Sequence, residues 1–472
     1  MIMAAPIKFQ RNIRYDVKHF FAWASRCFYP DVIAGHGGCR GVSILAGLCV
    51  VMQIASAQKL TRVNRDLAEG MLHDVSSDVR RNYYDPKMHG LDWDALVRRA
   101  KENIDKAPEM SDANAQIAGL LESLNDSHTR FFPPRYDRTV DYGWKFQIVG
   151  NNAFVTEVDA KSDAASKGMR VGDQLLTLNG FTVDRASASG LLYAMYVIAP
   201  AAAVTVDLLD PTHKLLHIQA VATIKKTPGL MGLGDESWYL NQQRINFEDA
   251  VSKDRVRSVE FGSNLMILQI PDFALGSVGV AQLFARTRGC KTLLIDLRGN
   301  LGGAVDSLKS YLAELFPYDV LLGQWVTRNK TAPMIVKGDR KNAYTGDLIV
   351  LVDSRTASAG EIFARIIQIE QRGTILGDHT SGRTMESRMF RHVLGQNPVY
   401  YFGASVTVAD TVMPDGKSIE HIGVQPDRVF LPTQADLAAG RDPVLAYAAG
   451  LAGVKITPEQ AAKLFPSEPP EN

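Results

Sequence analysis

Residues 347–368 read Asp347-Leu-Ile-Val-Leu-Val-Asp353-Ser-Arg-Thr-Ala-Ser358-Ala-Gly-Glu361-Ile-Phe-Ala-Arg-Ile-Ile-Gln368. The unbroken apolar run over 348–352 predicts a strand buried on both faces, and 362–368 predicts a helix. Between them lies a sharp turn of small and hydroxyl residues. A serine at such a strand-to-helix turn is held at a corner, with the N–H groups of the helix start beside it. That setting suits a nucleophile next to an oxyanion site. It equally suits a helix N-cap, where serine and threonine are favoured.

Working outward, Leu265–Ile270 is an apolar strand, 278–287 suits a helix, and Lys291–Leu297 is a buried strand running straight into Arg298-Gly-Asn-Leu-Gly-Gly303. Strands alternating with helices predict α/β layers from about 229 to 450. Upstream the period changes: 144–149, 153–158, 174–178 and 202–208 read as strands, with turns at Gly172-Asp173 and Asn179-Gly180. Further upstream the spacing is helical, with Val63, Leu67 and Met71 on one face. Trp93, Leu96, Val97 and Ile104 continue the stripe after the Tyr84-Asp85-Pro86 break. Pro133-Pro134 ends that region and hands over to an extended linker. The expected organisation is a leader over 1–57, a helical domain over 58–136, a β domain over 137–228, an α/β core over 229–450 and a C-terminal tail over 451–472.

Within the leader, Arg40 precedes an apolar run, Val42–Ile54, which ends at Ala55-Ser56-Ala57. The run is too short to span a bilayer and has the form of a signal peptide cleaved after Ala57. Translation starting downstream of Met1 would account for the residues before it. The expectation is a periplasmic or secreted protein with no stable membrane insertion once the signal is removed. Cleavage would discard Cys27, Cys39 and Cys49 and leave Cys290 alone, which excludes a disulfide framework and a cysteine-ligated zinc. No histidine pair has metal-ligand spacing, so neither metal nor cofactor is expected. Lys and Arg number 52 against 51 Asp and Glu, so no basic footprint asks for nucleic acid.

The succession DLRGNLGG (296–303), TASAGE (356–361), GTILGDHTSGR (373–383) and IEHIGVQPD (419–427) resembles the tail-specific, or C-terminal processing, serine peptidases and the related tricorn protease core. Ala164–Gly180 resembles the G(L/M)xxGDxLLxLNG segment of PDZ domains, and LNDSHTRF (124–131) extends the match toward the N-terminus. The resemblance implies a ClpP/crotonase-like α/β peptidase core, an N-terminal helical domain and a PDZ-like domain that adds an extended peptide to a sheet edge. It implies hydrolysis of peptides or unfolded proteins, recognised by their C-terminal tails.

By the same resemblance the nucleophile falls on Ser358, and the oxyanion donors on Ala359 and the Gly302-Gly303 turn. Tail-specific proteases place a lysine base 25 residues after the nucleophile, where this chain has Arg383. Arginine does not serve, because its pKa stays above about 12. The tricorn-like branch uses a histidine base oriented by a serine and a glutamate, which match His128, Ser127 and Glu420. His421 and His379 are the competing bases, and Arg383 is a candidate contact for a substrate carboxylate. The alternative function is a non-proteolytic, peptidase-like binding protein for a peptide or small apolar ligand, with a retired active site.

Overall fold

In the computed structural model the described residues are 60–134, 138–226, 256–396 and 398–465. The expected leader, its cleavage point and the three upstream cysteines lie outside them. Among the described residues no helix is long and apolar enough to cross a membrane.

The central sheet has six strands in the order Arg257–Phe261, Leu265–Gln269, Thr292–Asp296, Asp347–Val352, Thr374–Gly377 and Arg428–Val429. Its first pair is antiparallel and the rest run parallel. All five residues of Thr292–Asp296 are buried, as strands covered on both faces must be. The helices Val305–Ala313 and Ala359–Ile369 cover one face, through Leu308, Tyr311, Phe363 and Ile367. The helix Pro443–Leu451 covers the other through Val444, Leu445 and Ala448. Val454, Ile456 and Leu464, read from sequence as tail, pack there too.

The sequence gives no warning of a second sheet, built on the long strand Tyr400–Val412. Glu386–Leu394, Val320–Thr327 and the short strand Arg130–Phe132 all pair with it antiparallel. Arg130–Phe132 lies opposite Gly403–Ser405, so the stretch expected to close the helical domain adds as a strand. The helices Arg62–Asn82, Trp93–Lys106 and Met110–Glu122 pack on this sheet. Their core takes in Met71, Val75 and Ile104 together with Phe131, Phe402 and Val406.

A third sheet is antiparallel, in the order Trp144–Val149, Asn152–Val158, Gln174–Leu178, Ala203–Leu209 and Leu215–Val221. The expected Asn-Gly turn is present, with φ of 49° at Asn179 and 80° at Gly180. This sheet touches the core close to the Asp353–Ser358 turn. Gln147 Nε2 donates to Asp353 Oδ2 at 2.8 Å, and the Ser354 hydroxyl donates to the Ile148 carbonyl.

Candidate active site

Three loops leave the carboxyl ends of adjacent parallel strands: 297–304, 353–358 and 378–385. In open α/β sheets this end is where ligands bind. The second loop carries Ser358, which has φ 52° and ψ −122° as the residue before the helix Ala359–Ile369. Positive φ in a non-glycine residue costs about 1–3 kcal/mol and persists only where the surroundings over-determine it. Here they do. The Ser358 N–H donates to the Arg383 carbonyl at 2.7 Å and to Glu361 Oε2 at 3.2 Å, and its carbonyl accepts the N–H of Glu361 and Ile362. Ser358 and Glu361 form a capping box at the start of this helix, so the serine serves as its N-cap as well as standing at the strained corner.

The first loop closes against this corner. A Cβ on Gly302 would stand 2.6 Å from Ser358 Cβ, 3.0 Å from its Oγ and 3.1 Å from the Ala359 nitrogen. Asn300, fully buried, accepts the Gly302 N–H on Oδ1 at 2.8 Å, donates through Nδ2 to the Ile270 carbonyl, and accepts the Ala357 N–H on its own carbonyl. The Gly302 N–H is therefore engaged elsewhere. Ala359 is the first helical residue, whose N–H has no acceptor within the helix. Gly302→Ala should lower the melting temperature, at a cost of about 1–3 kcal/mol, and reduce hydrolysis of an unstructured peptide roughly 100-fold. Full rates in that variant would mean that Gly302 does not border the reacting centre.

Glu361 is the residue the sequence reading passed over. It is completely buried and accepts from Thr380 Oγ1 at 2.5 Å, Gly382 N at 2.7 Å and Arg383 N at 2.8 Å, tying the third loop to the serine turn. Burial pushes its carboxyl up to about 7, against the pull of those hydrogen bonds. A signal was available, since Ser358 and Glu361 have the spacing of a capping box.

The remaining candidates gather on the same loop from the other side. Ser127 Oγ bonds His128 Nδ1 at 2.7 Å. Glu420 accepts the backbone N–H of Ser127 and of Thr384, each at 2.8 Å, so its bond is to the Ser127 main chain. The Arg383 guanidinium reaches the Ser127 carbonyl at 3.5 Å, while its own carbonyl holds Ser358. The serine turn and the histidine turn thus meet on Arg383. Burial, with Arg130 beside it, pushes the Arg383 guanidinium down to about 10, which leaves it cationic at neutral pH. Burial first, then the charges of Arg383 and Arg130, hold His128 well below the usual imidazole range and so neutral.

The competing histidines have other surroundings. His421 Nε2 bonds the Asn125 carbonyl at 2.7 Å, and the ring is half exposed. His379 lies in a loop whose carbonyl and neighbouring Asp378 are bound by Arg185. Among the described residues no group of three or more His, Cys, Asp or Glu side chains is placed to hold a metal ion.

Residues 264–430 match the model for peptidase family S41, and residues 66–109 match the tricorn protease C1 domain. The chain is 26% identical over 387 residues to carboxyl-terminal-processing peptidase 1, chloroplastic, of Arabidopsis thaliana, covering 77% of this chain and 72% of that one. It is 25% identical over 395 residues to the putative tricorn protease homolog 2 of Streptomyces coelicolor, covering 79% of this chain but only 31% of that longer protein. Among solved structures, mature CPAF superposes with a TM-score of 0.60 over 80% of this chain and 94% of its own, at 15% identity, a similarity of fold.

Proposed function

We propose that the chain is a member of peptidase family S41, the C-terminal processing serine peptidases, and an endopeptidase in which Ser358 is the nucleophile and His128 the general base. The observation that carries this reading is the strained Ser358 corner, held open beneath a glycine that leaves room for nothing larger. His128, neutral through burial and bonded by Nδ1 to Ser127, is suited to take the serine proton on Nε2 and return it to the leaving amine. The Ala359 N–H and the Gly303 N–H are the assigned oxyanion donors, with Gly302 contributing space. Glu420 holds Ser127 in place. Arg383 braces both turns and is a contact for a substrate carboxylate. No step asks for a cofactor, and the comparisons give no support to a non-proteolytic binding protein.

The substrates are peptides or unfolded proteins, entering by their C-terminal tails. In this reading residues 229–450 form the ClpP/crotonase-like catalytic unit, 58–136 the helical unit that brings His128, and 137–228 a PDZ-like unit that captures the tail. The setting is periplasmic or extracellular, as the expected signal implies. Deleting 142–225 should slow cleavage of long tails more than cleavage of short peptides, since that unit binds and does not react. Equal losses on both substrates would remove the tethering role. The direct test of the whole reading is labelling with a serine-directed fluorophosphonate. Wild type should take the label at Ser358, and a protein that refuses it would not be the peptidase described.

A further inference from the structure

Asp126 is buried under the Ser127-His128 turn, at 5% exposure, and has no part in the steps above. Its Oδ1 accepts three hydrogen bonds, from the N–H of His128 at 2.9 Å, the N–H of Thr129 at 2.6 Å and Thr407 Oγ1 at 2.7 Å. Its Oδ2 is buried with no hydrogen-bond partner. The carboxylate is therefore fixed at one oxygen, and its other oxygen is buried on the side of the Tyr83 phenol. The Tyr83 phenol lies between His89 and this carboxylate: its oxygen is 2.8 Å from His89 Nε2, and its side chain also faces Asp126.

The surroundings of His128 show which groups feel that charge. From the 380–384 loop Arg383 opposes a positive imidazole, and so does Arg130 from the strand that follows His128; Asp126 favours it. Glu420 is not among the groups that act on the ring; its two oxygens are turned to the main chain and accept the N–H of Ser127 and of Thr384. A base flanked by two guanidinium groups stays neutral at rest, but it must become an imidazolium when it takes the serine proton. Some negative charge has to make that state accessible.

We propose that Asp126 is a positioning residue for the base, fixing the His128 main chain through its N–H and supplying the negative charge that offsets the imidazolium formed when Ser358 gives up its proton. The proton passes from Ser358 Oγ to His128 and then to the leaving amine, and none is transferred to Asp126. The inference rests on the reading of His128 as base.

The test is the pH profile of kcat, measured with KM on an unstructured peptide, for Asp126→Asn. Asparagine keeps the shape and an acceptor for the two N–H groups but removes the charge. We expect kcat to fall on the order of 10- to 100-fold, less than when a carboxylate touching the imidazole is neutralised. KM should change little, and the acid limb should move to lower pH. Asp126→Ser, whose hydroxyl can also accept from nearby N–H groups, is the second neutral variant and should behave alike. Glu420→Gln is the third, and its acid limb should stay where wild type has it. If a folded neutral Asp126 variant keeps wild-type kcat and limb, or if Glu420→Gln moves the limb instead, the assignment to Asp126 is overturned. Failure of the underlying reading looks different, because then the limb survives in His128→Ala.

Discussion

Replacing Ser358 with alanine should lower peptide hydrolysis by roughly 10⁵- to 10⁶-fold, leaving only what substrate binding and the oxyanion donors accomplish without a nucleophile. The variant should fold and melt close to wild type, because alanine inherits the same positive φ and the hydrogen bonds that enforce it are all to the backbone of residue 358. Adding His128→Ala should make the enzyme no worse, since a nucleophile and its base act as one unit and their losses do not add. Initial rates on an unstructured peptide, with circular dichroism to verify folding, decide the matter. Residual activity well above that level would place the nucleophile on another side chain.

His128→Ala alone should cost roughly 10²- to 10⁴-fold, the range for removing a general base. The pH profile makes the assignment sharper. An unperturbed imidazole near 6.5 would put the acid limb there, but burial and the charge of Arg383 hold His128 lower. A base works when neutral, so activity should persist below about pH 6.5 and fall only as pH drops through the lowered value. Stability runs the same way: below about 6.5 the unfolded chain binds a proton that folded His128 refuses, so stability declines with acidification. Arg383→Lys tests the rival. The guanidinium, pushed down to about 10, is still protonated at neutral pH, and with His128 as the base a lysine at 383 should bring no gain. A wild type without activity and an active Arg383→Lys variant would overturn the histidine mechanism and leave the fold intact.

Much of the core was legible because its signals are local. Leu348–Val352 and Leu293–Ile295 read as buried strands because nothing polar interrupts them, and their parallel pairing follows from the intervening helix. Asn179-Gly180 fixed its turn for the same reason. What escaped notice depends on partners far along the chain. Arg130-Phe131-Phe132 is too short and too close to two prolines to read as a strand, and it becomes one only because Gly403–Ser405 lies opposite. Glu361 was hidden by its type, since a glutamate at the start of a helix reads as a solvated cap until burial shows otherwise. That Glu420 bonds the Ser127 N–H is a matter of ångströms that no spacing encodes.

The pairing of Arg130–Phe132 with Tyr400–Val412 also orders events in time. Thr129 and its partner Thr407 are 278 positions apart, so the turn bearing His128 is synthesised long before the strand that seats it. Contacts of such separation close late in folding, after the loop entropy between them has been overcome. In a chain made or exported from its N-terminus, Ser358 too precedes that strand. With His128 as the base, hydrolytic competence would therefore arrive only when the last third of the molecule is in place.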